Sequence, residues 1–242
     1  MAVPILVLRN IAHEGPGIFS SVAKQRGFAL DDVDLEAGED PLALENYSAV
    51  VVCGGPDSAN DDTEKMKKEV EFVREAIERG VPYFGICLGM QILAKAAGAA
   101  VIRAEAKEIG FKDPEGEQFR IDLTAAGLSD SLFNGCAEAI DVFQLHGETV
   151  DVNDNENIEL LGTGKGCRNQ AIKVGSCAYG IQSHVEVTKE MFEEWLMLDP
   201  DLKSNDAALL RKEFAAIYDD YVVTAECVFN NFLDIVESQV SS

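Results

Sequence analysis

Val81-Pro82-Tyr83-Phe84-Gly85-Ile86-Cys87-Leu88-Gly89-Met90-Gln91 joins a short apolar run to the start of a helical one, and the join reads Gly-x-Cys-x-Gly. The stretch 81–86 has the length of a buried strand, and 88–97, closed by Gly98, has the length of a helix. A strand-to-helix turn this sharp forces strained backbone on its central residue and leaves room only for small neighbours. It lifts the central side chain above the carboxyl edge of the sheet, where open α/β folds hold their sites. It also sets the sulfur at a helix N-terminus, whose positive end attracts negative charge. Cys87 is therefore the candidate nucleophile.

The same alternation holds upstream. An apolar run at 3–8 precedes Glu14-Gly15-Pro16-Gly17 and a helical stretch ending near Gly27, and a second run at 48–53 closes on Gly54-Gly55-Pro56. A helix is expected over 63–79, with Met66, Val70, Val73 and Ile77 on one face, Lys and Glu on the other, and Gly80 as its stop. Strands alternating with helices require crossovers and a mostly parallel sheet. From 99 to 184 the spacing shortens, with strands expected at 118–123, 139–143, 171–174 and 178–184, which predicts mixed or antiparallel additions. After Thr188 the pattern is helical to the end, with Met191, Trp195 and Leu196 on one face and a further stretch over 206–235. The expected fold is α/β: an open, mostly parallel sheet with helices on both faces, antiparallel additions and a helical C-terminal extension. Residues 1–197 are expected to form the catalytic domain and 198–242 a helical extension of it.

Composition narrows the function. The chain has 242 residues, 47% of them hydrophobic, which is enough to bury a core and excludes a disordered or fibrous protein. Forty-three Asp and Glu against 20 Lys and Arg give a net charge of −23, which argues against nucleic acid or an anionic membrane as partner. No apolar run reaches the roughly 18 residues of a membrane span. Met1 to Leu8 reads as a buried strand rather than a signal peptide, so a cytoplasmic location is expected. Cys53, Cys136, Cys167, Cys177 and Cys227 show no C-x-x-C pairing and are expected to be buried small hydrophobes, not disulfides or metal ligands. Gly162-Thr163-Gly164-Lys165-Gly166 lacks P-loop spacing. The tract 151–155 begins like a calcium loop, but Glu156 replaces the glycine that loop needs. No metal and no cofactor is expected.

A thiolate nucleophile needs a proton acceptor that later protonates the leaving group. The three histidines are His13, His146 and His184. His184 ends an expected strand in Gln182-Ser183-His184-Val185-Glu186, and residues two apart share a face, so Glu186 can orient the imidazole. Acyl transfer also needs donors for the oxyanion. Leu88 offers the N–H that follows the nucleophile, and Gly55 is the natural second donor, since Pro56 has no N–H.

Taken together, Gly54-Gly55-Pro56, Gly85-Ile86-Cys87-Leu88-Gly89-Met90-Gln91 and Gln182-Ser183-His184-Val185-Glu186 resemble, in order and separation, the signatures of class I (triad-type) glutamine amidotransferases, whose fold is flavodoxin-like. Glu108-Ile109-Gly110-Phe111 and Phe143-Gln144-Leu145-His146-Gly147-Glu148 further resemble stand-alone members related to the glutaminase domain of GMP synthase. The resemblance implies that Cys87 attacks the carboxamide carbon of glutamine, with His184 as acid and base and Glu186 as its orienter. It implies an oxyanion hole from Gly55 and Leu88, and substrate contacts from Gly54, Gln91, His146 and Gly147. Ser183 departs from the usual bulky aromatic, which is expected to open space beside the histidine. The ~45 residues after the matched region are too few for a synthetase domain, so a separate synthetase subunit is expected to accept the ammonia. Two rival readings are a γ-glutamyl peptidase and a non-catalytic regulatory subunit of the same fold. The intact Cys-His-Glu set argues against the second.

Overall fold

Successive side chains of β1 (Ile5–Arg9) point to opposite faces of one sheet, and this divides the core in two. Ile5 and Val7 join the cluster packed under α1 (Ile18–Gln25) and α7 (Ala207–Val240), whereas Leu6 and Leu8 join the one under α2 (Glu64–Glu78) and α3 (Leu88–Ala96). The computed structural model describes residues 3–153 and 155–240. Met1 and Ala2 of the N-terminal run, Asp154 of the 151–155 tract and the last two residues of the expected terminal helix lie outside the described residues.

The sheet has nine strands. β2 (Leu30–Asp34), β1, β3 (Ala49–Val52), β4 (Tyr83–Ile86) and β11 (Ala178–Ile181) are parallel neighbours in that order. β10 (Asn169–Val174), β9 (Ile158–Thr163), β6 (Arg120–Leu123) and β7 (Ala139–Asp141) continue the sheet antiparallel. The helices lie on both faces, and the short helices α4 (Ala125–Ser129), α5 (Lys189–Leu198) and α6 (Pro200–Lys203) fill the connections. β5 (Ala100–Gly110) and β8 (Gln144–Asp151) form a separate antiparallel ribbon that pairs Glu108 with His146 and Ile109 with Leu145. The fold is the expected one, although β2, β5, β8 and β9 are not among the strands the apolar runs predict. Among the described residues no helix is long and apolar enough to cross a membrane.

The helix expected over 63–79 forms as α2, and Thr63 caps it by accepting the Met66 N–H at 3.2 Å, a bond worth about 1 kcal/mol. Its charged residues do not all face outward. Glu69 is only 4% exposed and accepts a hydrogen bond from Asn10 Nδ2 at 3.0 Å. Burial outweighs that bond and pushes the Glu69 carboxyl up to about 7.

The cysteine expectation needs one correction. Cys53, Cys167 and Cys177 are buried free thiols, but Cys136 and Cys227 are joined as a disulfide with Cα atoms 6.0 Å apart. The pairing arises because α7 returns across the sheet and brings Cys227 against the loop before β7. Spacing along the chain carries no sign of this. α7 also reaches the site, because the Tyr221 O–H donates to the His184 carbonyl at 3.0 Å and accepts the Val187 N–H at 3.1 Å.

Candidate active site

Cys87 sits between β4 and α3 with φ 52 and ψ −105, the sole non-glycine residue at positive φ among the described residues. Left-handed backbone at a residue with a Cβ is strained and is held only where the surroundings over-determine it. Here they do. The Cys87 N–H donates to Ile181 O at 2.8 Å, tying the turn to β11, and the Gln91 N–H donates to Cys87 O at 3.1 Å, opening the helix. The bracketing glycines allow helix and sheet to touch: a Cβ on Gly85 would strike the Gly89 backbone, and one on Gly89 would strike the Val52 carbonyl. The side chain is more enclosed than a sheet-edge position suggests. Cys87 is 6% exposed, with its sulfur facing a cleft of about 700 Å³.

Because β11 runs parallel to β4, the segment that leaves it passes beside Cys87. β11 ends at Ile181, short of the expected 184, and His184 instead makes an isolated bridge with Phe143. His184 Nδ1–H donates to Glu186 Oε1 at 2.7 Å, and Glu186 Oε2 accepts the Val185 N–H at 2.9 Å. Three helices fix this segment. The Ile18 N–H at the start of α1 donates to Glu186 O at 2.8 Å, the Trp195 ring of α5 meets the imidazole edge-on at 4.9 Å, and Tyr221 of α7 holds the His184 carbonyl. Burial opposes charge on His184, but the Glu186 carboxylate and the hydrogen bond to Cys87 outweigh it, so the imidazole is held well above its usual range. A raised proton affinity next to the sulfur suits a group that has to give a proton to a leaving group.

Gly55 and Leu88 border the cleft side by side. A Cβ on Gly55 would stand 3.3 Å from Leu88 Cδ2 and would collide with Asn10 Cβ. Leu88 is the first residue of α3, so its N–H has no acceptor within the helix. Among the described residues the Gly55 N–H has no acceptor either. Gly54 lies beneath the pair, 3.1 Å from His184 Cε1 and 3.6 Å from Cys87 Cβ as measured from where its Cβ would stand. Gln91, His146 and Gly147 line the cleft. Gln91 Nε2 donates to Glu148 O at 3.2 Å and Gln182 Oε1 at 3.3 Å, and Gln182 Nε2 in turn approaches the Cys87 sulfur at 3.7 Å. The ribbon covers the thiol, with Leu145 O 3.8 Å from Sγ.

His146 is braced from behind. Its Nδ1 donates to Glu148 O at 3.0 Å, and its Nε2 lies 3.2 Å from Glu108 Oε2. Glu108, His146 and Cys167 bring three possible metal-ligand atoms within 4.8 Å of one another. Both carboxyl oxygens already accept from this chain, Oε1 from the Cys167 N–H at 2.9 Å and Oε2 from Gln170 Nε2 at 3.4 Å. The cluster therefore braces His146 on β8 against β5 and the segment before β10. Ser183 is fully buried, and its Oγ has no partner among the described residues.

Sequence reasoning missed Glu14. It is 8% exposed and lines the cleft beside Cys87. The only local signal is an acid in front of Gly15-Pro16-Gly17, which reads as a turn. Trp195 and Tyr221 were also missed as supports, since their contacts with His184 depend on how α5 and α7 pack back onto the site and not on a local motif.

A strained cysteine on a strand-to-helix turn, facing a histidine oriented by a buried glutamate, is the arrangement that cysteine hydrolases of the open α/β type use. Residues 20–198 match the family model for class-I glutamine amidotransferases, and the chain belongs to that family. Over 188 residues, 75% of each chain, it is 30% identical to the glutamine amidotransferase-like protein YfeJ of Salmonella typhimurium. Over 171 residues it is 27% identical to the glutamine-hydrolyzing GMP synthase of Thermosipho melanesiensis, covering 70% of this chain but only 30% of that one. The crystal structure of a glutamine amidotransferase from Thermotoga maritima matches with a TM-score of 0.84 at 26% identity, covering 96% of this chain and 98% of that one.

Proposed function

We propose that this chain hydrolyses the side-chain amide of glutamine through a γ-glutamyl thioester on Cys87, giving glutamate and ammonia for an acceptor carried on a separate synthetase subunit. The observation that carries this reading is the Cys87 turn, with positive φ, facing the His184–Glu186 pair. In this mechanism the thiolate attacks the amide carbon while the Gly55 and Leu88 N–H groups receive the oxyanion. His184 gives its proton to the departing nitrogen and then takes one from the water that opens the thioester. Glu186 holds the tautomer that leaves Nε2 facing sulfur. Gly54, Gln91, His146 and Gly147 shape the pocket for the substrate's amino-acid end. The test is steady-state ammonia release from glutamine by the purified chain, alone and with candidate synthetase subunits, alongside Cys87→Ala. Slow release that a synthetase accelerates, abolished in a folded Cys87→Ala protein, is the expected result. Retained hydrolysis in that variant would remove Cys87 from the chemistry.

One observation favours a second reading, a γ-glutamyl peptidase. The cleft, at about 700 Å³, is several times the bulk of a free glutamine and extends past Cys87 to Pro200 and Asp201 of α6, and cavities of this size hold drug-sized ligands. Fast hydrolysis of γ-glutamyl dipeptides with glutamine a poor substrate would decide for it.

A further inference from the structure

Glu14 lies on the turn between β1 and α1, next to His13, whose carbonyl accepts Trp195 Nε1–H at 2.9 Å. Gly54 makes room for it. A Cβ at that position would strike Glu14 Oε2, and the same point lies within 4 Å of His184 Cε1 and Cys87 Cβ. The Glu14 carboxyl thus stands at the reacting end of the cleft. Among the described residues no donor hydrogen-bonds it. With no donor from the chain, its charge is hydrated only through the cleft that it lines. Burial pushes it up to about 7; His184 opposes that shift, while Glu186 and Asp199 add to it. The positive group beside it, His184, is already engaged by Glu186 at 2.7 Å, so a second cation placed against Glu14 would give it a partner of its own.

The rest of the cleft has the same sign. Asp57, Glu148, Asp199 and Asp201 line it. Lys107, the one lysine of that lining among the described residues, is taken by Asp201 at 2.7 Å. Asp57 is paired with Lys65, and His13, His146 and Cys87 itself complete the titratable groups of the wall. Among the described residues no free lysine or arginine of the lining offers itself to an anionic leaving group.

We propose that the cleft takes γ-glutamyl conjugates of amines that carry a second positive charge, with Glu14 as the specificity residue that receives the distal ammonium. This rests on the Cys87 chemistry above and names the substrate class for it, with glutamine as the smallest member. The Cys87 Sγ–carbon bond forms and the carbon–nitrogen bond breaks. The proximal nitrogen takes the His184 proton, and the amine departs with its distal ammonium unchanged. Water then gives a proton to His184 and its hydroxide to the thioester carbon, which releases glutamate and the Cys87 thiolate.

Three conjugates of similar tail length test this: γ-glutamyl ethylenediamine, γ-glutamyl propylamide and γ-glutamylglycine, whose tails end in a cation, a methyl group and an anion. The wild-type kcat/KM is expected to favour the cationic tail over the neutral one by about tenfold or more, with the anionic tail lowest. Glu14→Gln is expected to bring the cation-to-neutral ratio to within about threefold, and Glu14→Asp to keep part of the preference. A wild-type ratio near one, or a preference that survives in Glu14→Gln, would overturn the proposal. The wild-type series decides alone if Glu14→Gln does not fold. Hydrolysis of glutamine without the cationic preference would remove only this inference. No turnover of glutamine or any conjugate would remove the Cys87 reading as well.

Discussion

Glu186→Gln tests whether the third member of the triad works through the tautomer of His184. In the native site Oε1 accepts from His184 Nδ1 at 2.7 Å and Oε2 accepts from the Val185 N–H at 2.9 Å. A glutamine is isosteric, but it has one acceptor and one donor. Keeping its oxygen on the Val185 N–H sets its NH2 against Nδ1, which must then become an acceptor. The imidazole proton moves to Nε2, the nitrogen that should be free to receive a proton from water. The reverse orientation faces two donors, amide NH2 and Val185 N–H, inside a site where Glu186 is only 2% exposed. Either way the correct tautomer is lost while the fold keeps its shape. The comparable change in a serine protease slows turnover about ten-thousandfold, which corresponds to roughly 5.5 kcal/mol of barrier. Here kcat is expected to fall by roughly three to four orders of magnitude, with little change in KM. Steady-state ammonia release gives both constants, and nitrogen-15 NMR of the imidazole reports the tautomer directly. If turnover stays within about tenfold of wild type and only KM rises, Glu186 is a substrate contact and the reasoning fails.

Other consequences follow from the packing. Gly89→Ala should weaken both stability and turnover, because the new methyl group meets the Val52 carbonyl and α3 must shift off β3; overpacking of this kind costs about 1–3 kcal/mol, readable as a lower urea midpoint. The disulfide closes a sequence separation of 91 residues, so Cys136→Ala with Cys227→Ala should lower stability by about 4–5 kcal/mol with kcat/KM retained; an unchanged urea midpoint, with and without reductant, would show the bond absent in solution. For Glu69 the folded carboxyl holds its proton up to about 7, above the ordinary carboxyl value of 4.5. Its stabilisation is therefore fully present below that ordinary value and is lost as pH rises to about 7. The span is worth on the order of 3 kcal/mol. Glu69→Gln should flatten this fall and be the more stable protein at about pH 8; an unchanged pH slope would contradict it.

The parallel half of the fold was legible because its strands are buried on both faces and its helices carry one apolar stripe, as in Val50-Val51-Val52 and along α2. The rest was not, for physical reasons. β2 is an edge strand, Leu-Asp-Asp-Val-Asp, in which only Val33 is buried. β5 is a mostly exposed ribbon strand in which Val101, Glu108 and Gly110 alone are buried, so neither strand leaves an apolar run. The turn at Cys87 and the His184–Glu186 pair were legible because each depends on local spacing: two glycines around a cysteine, and a carboxylate two positions after an imidazole. Glu14 depends on a meeting of the β1–α1 turn with Gly54 and the segment after β11, and Glu69 on an inward face that holds Asn10. Neither is encoded by neighbours in sequence.

The chemistry proposed for Cys87 is covalent and leaves a mark that can be weighed. Acid quench of the purified chain during turnover of glutamine, followed by peptide mapping with mass spectrometry, should find one γ-glutamyl group on the peptide that contains Cys87. That adduct should disappear when the substrate is exhausted, and Cys167 and Cys53 should remain unmodified. Turnover with no adduct on Cys87, or with the γ-glutamyl group on another cysteine, would contradict the account.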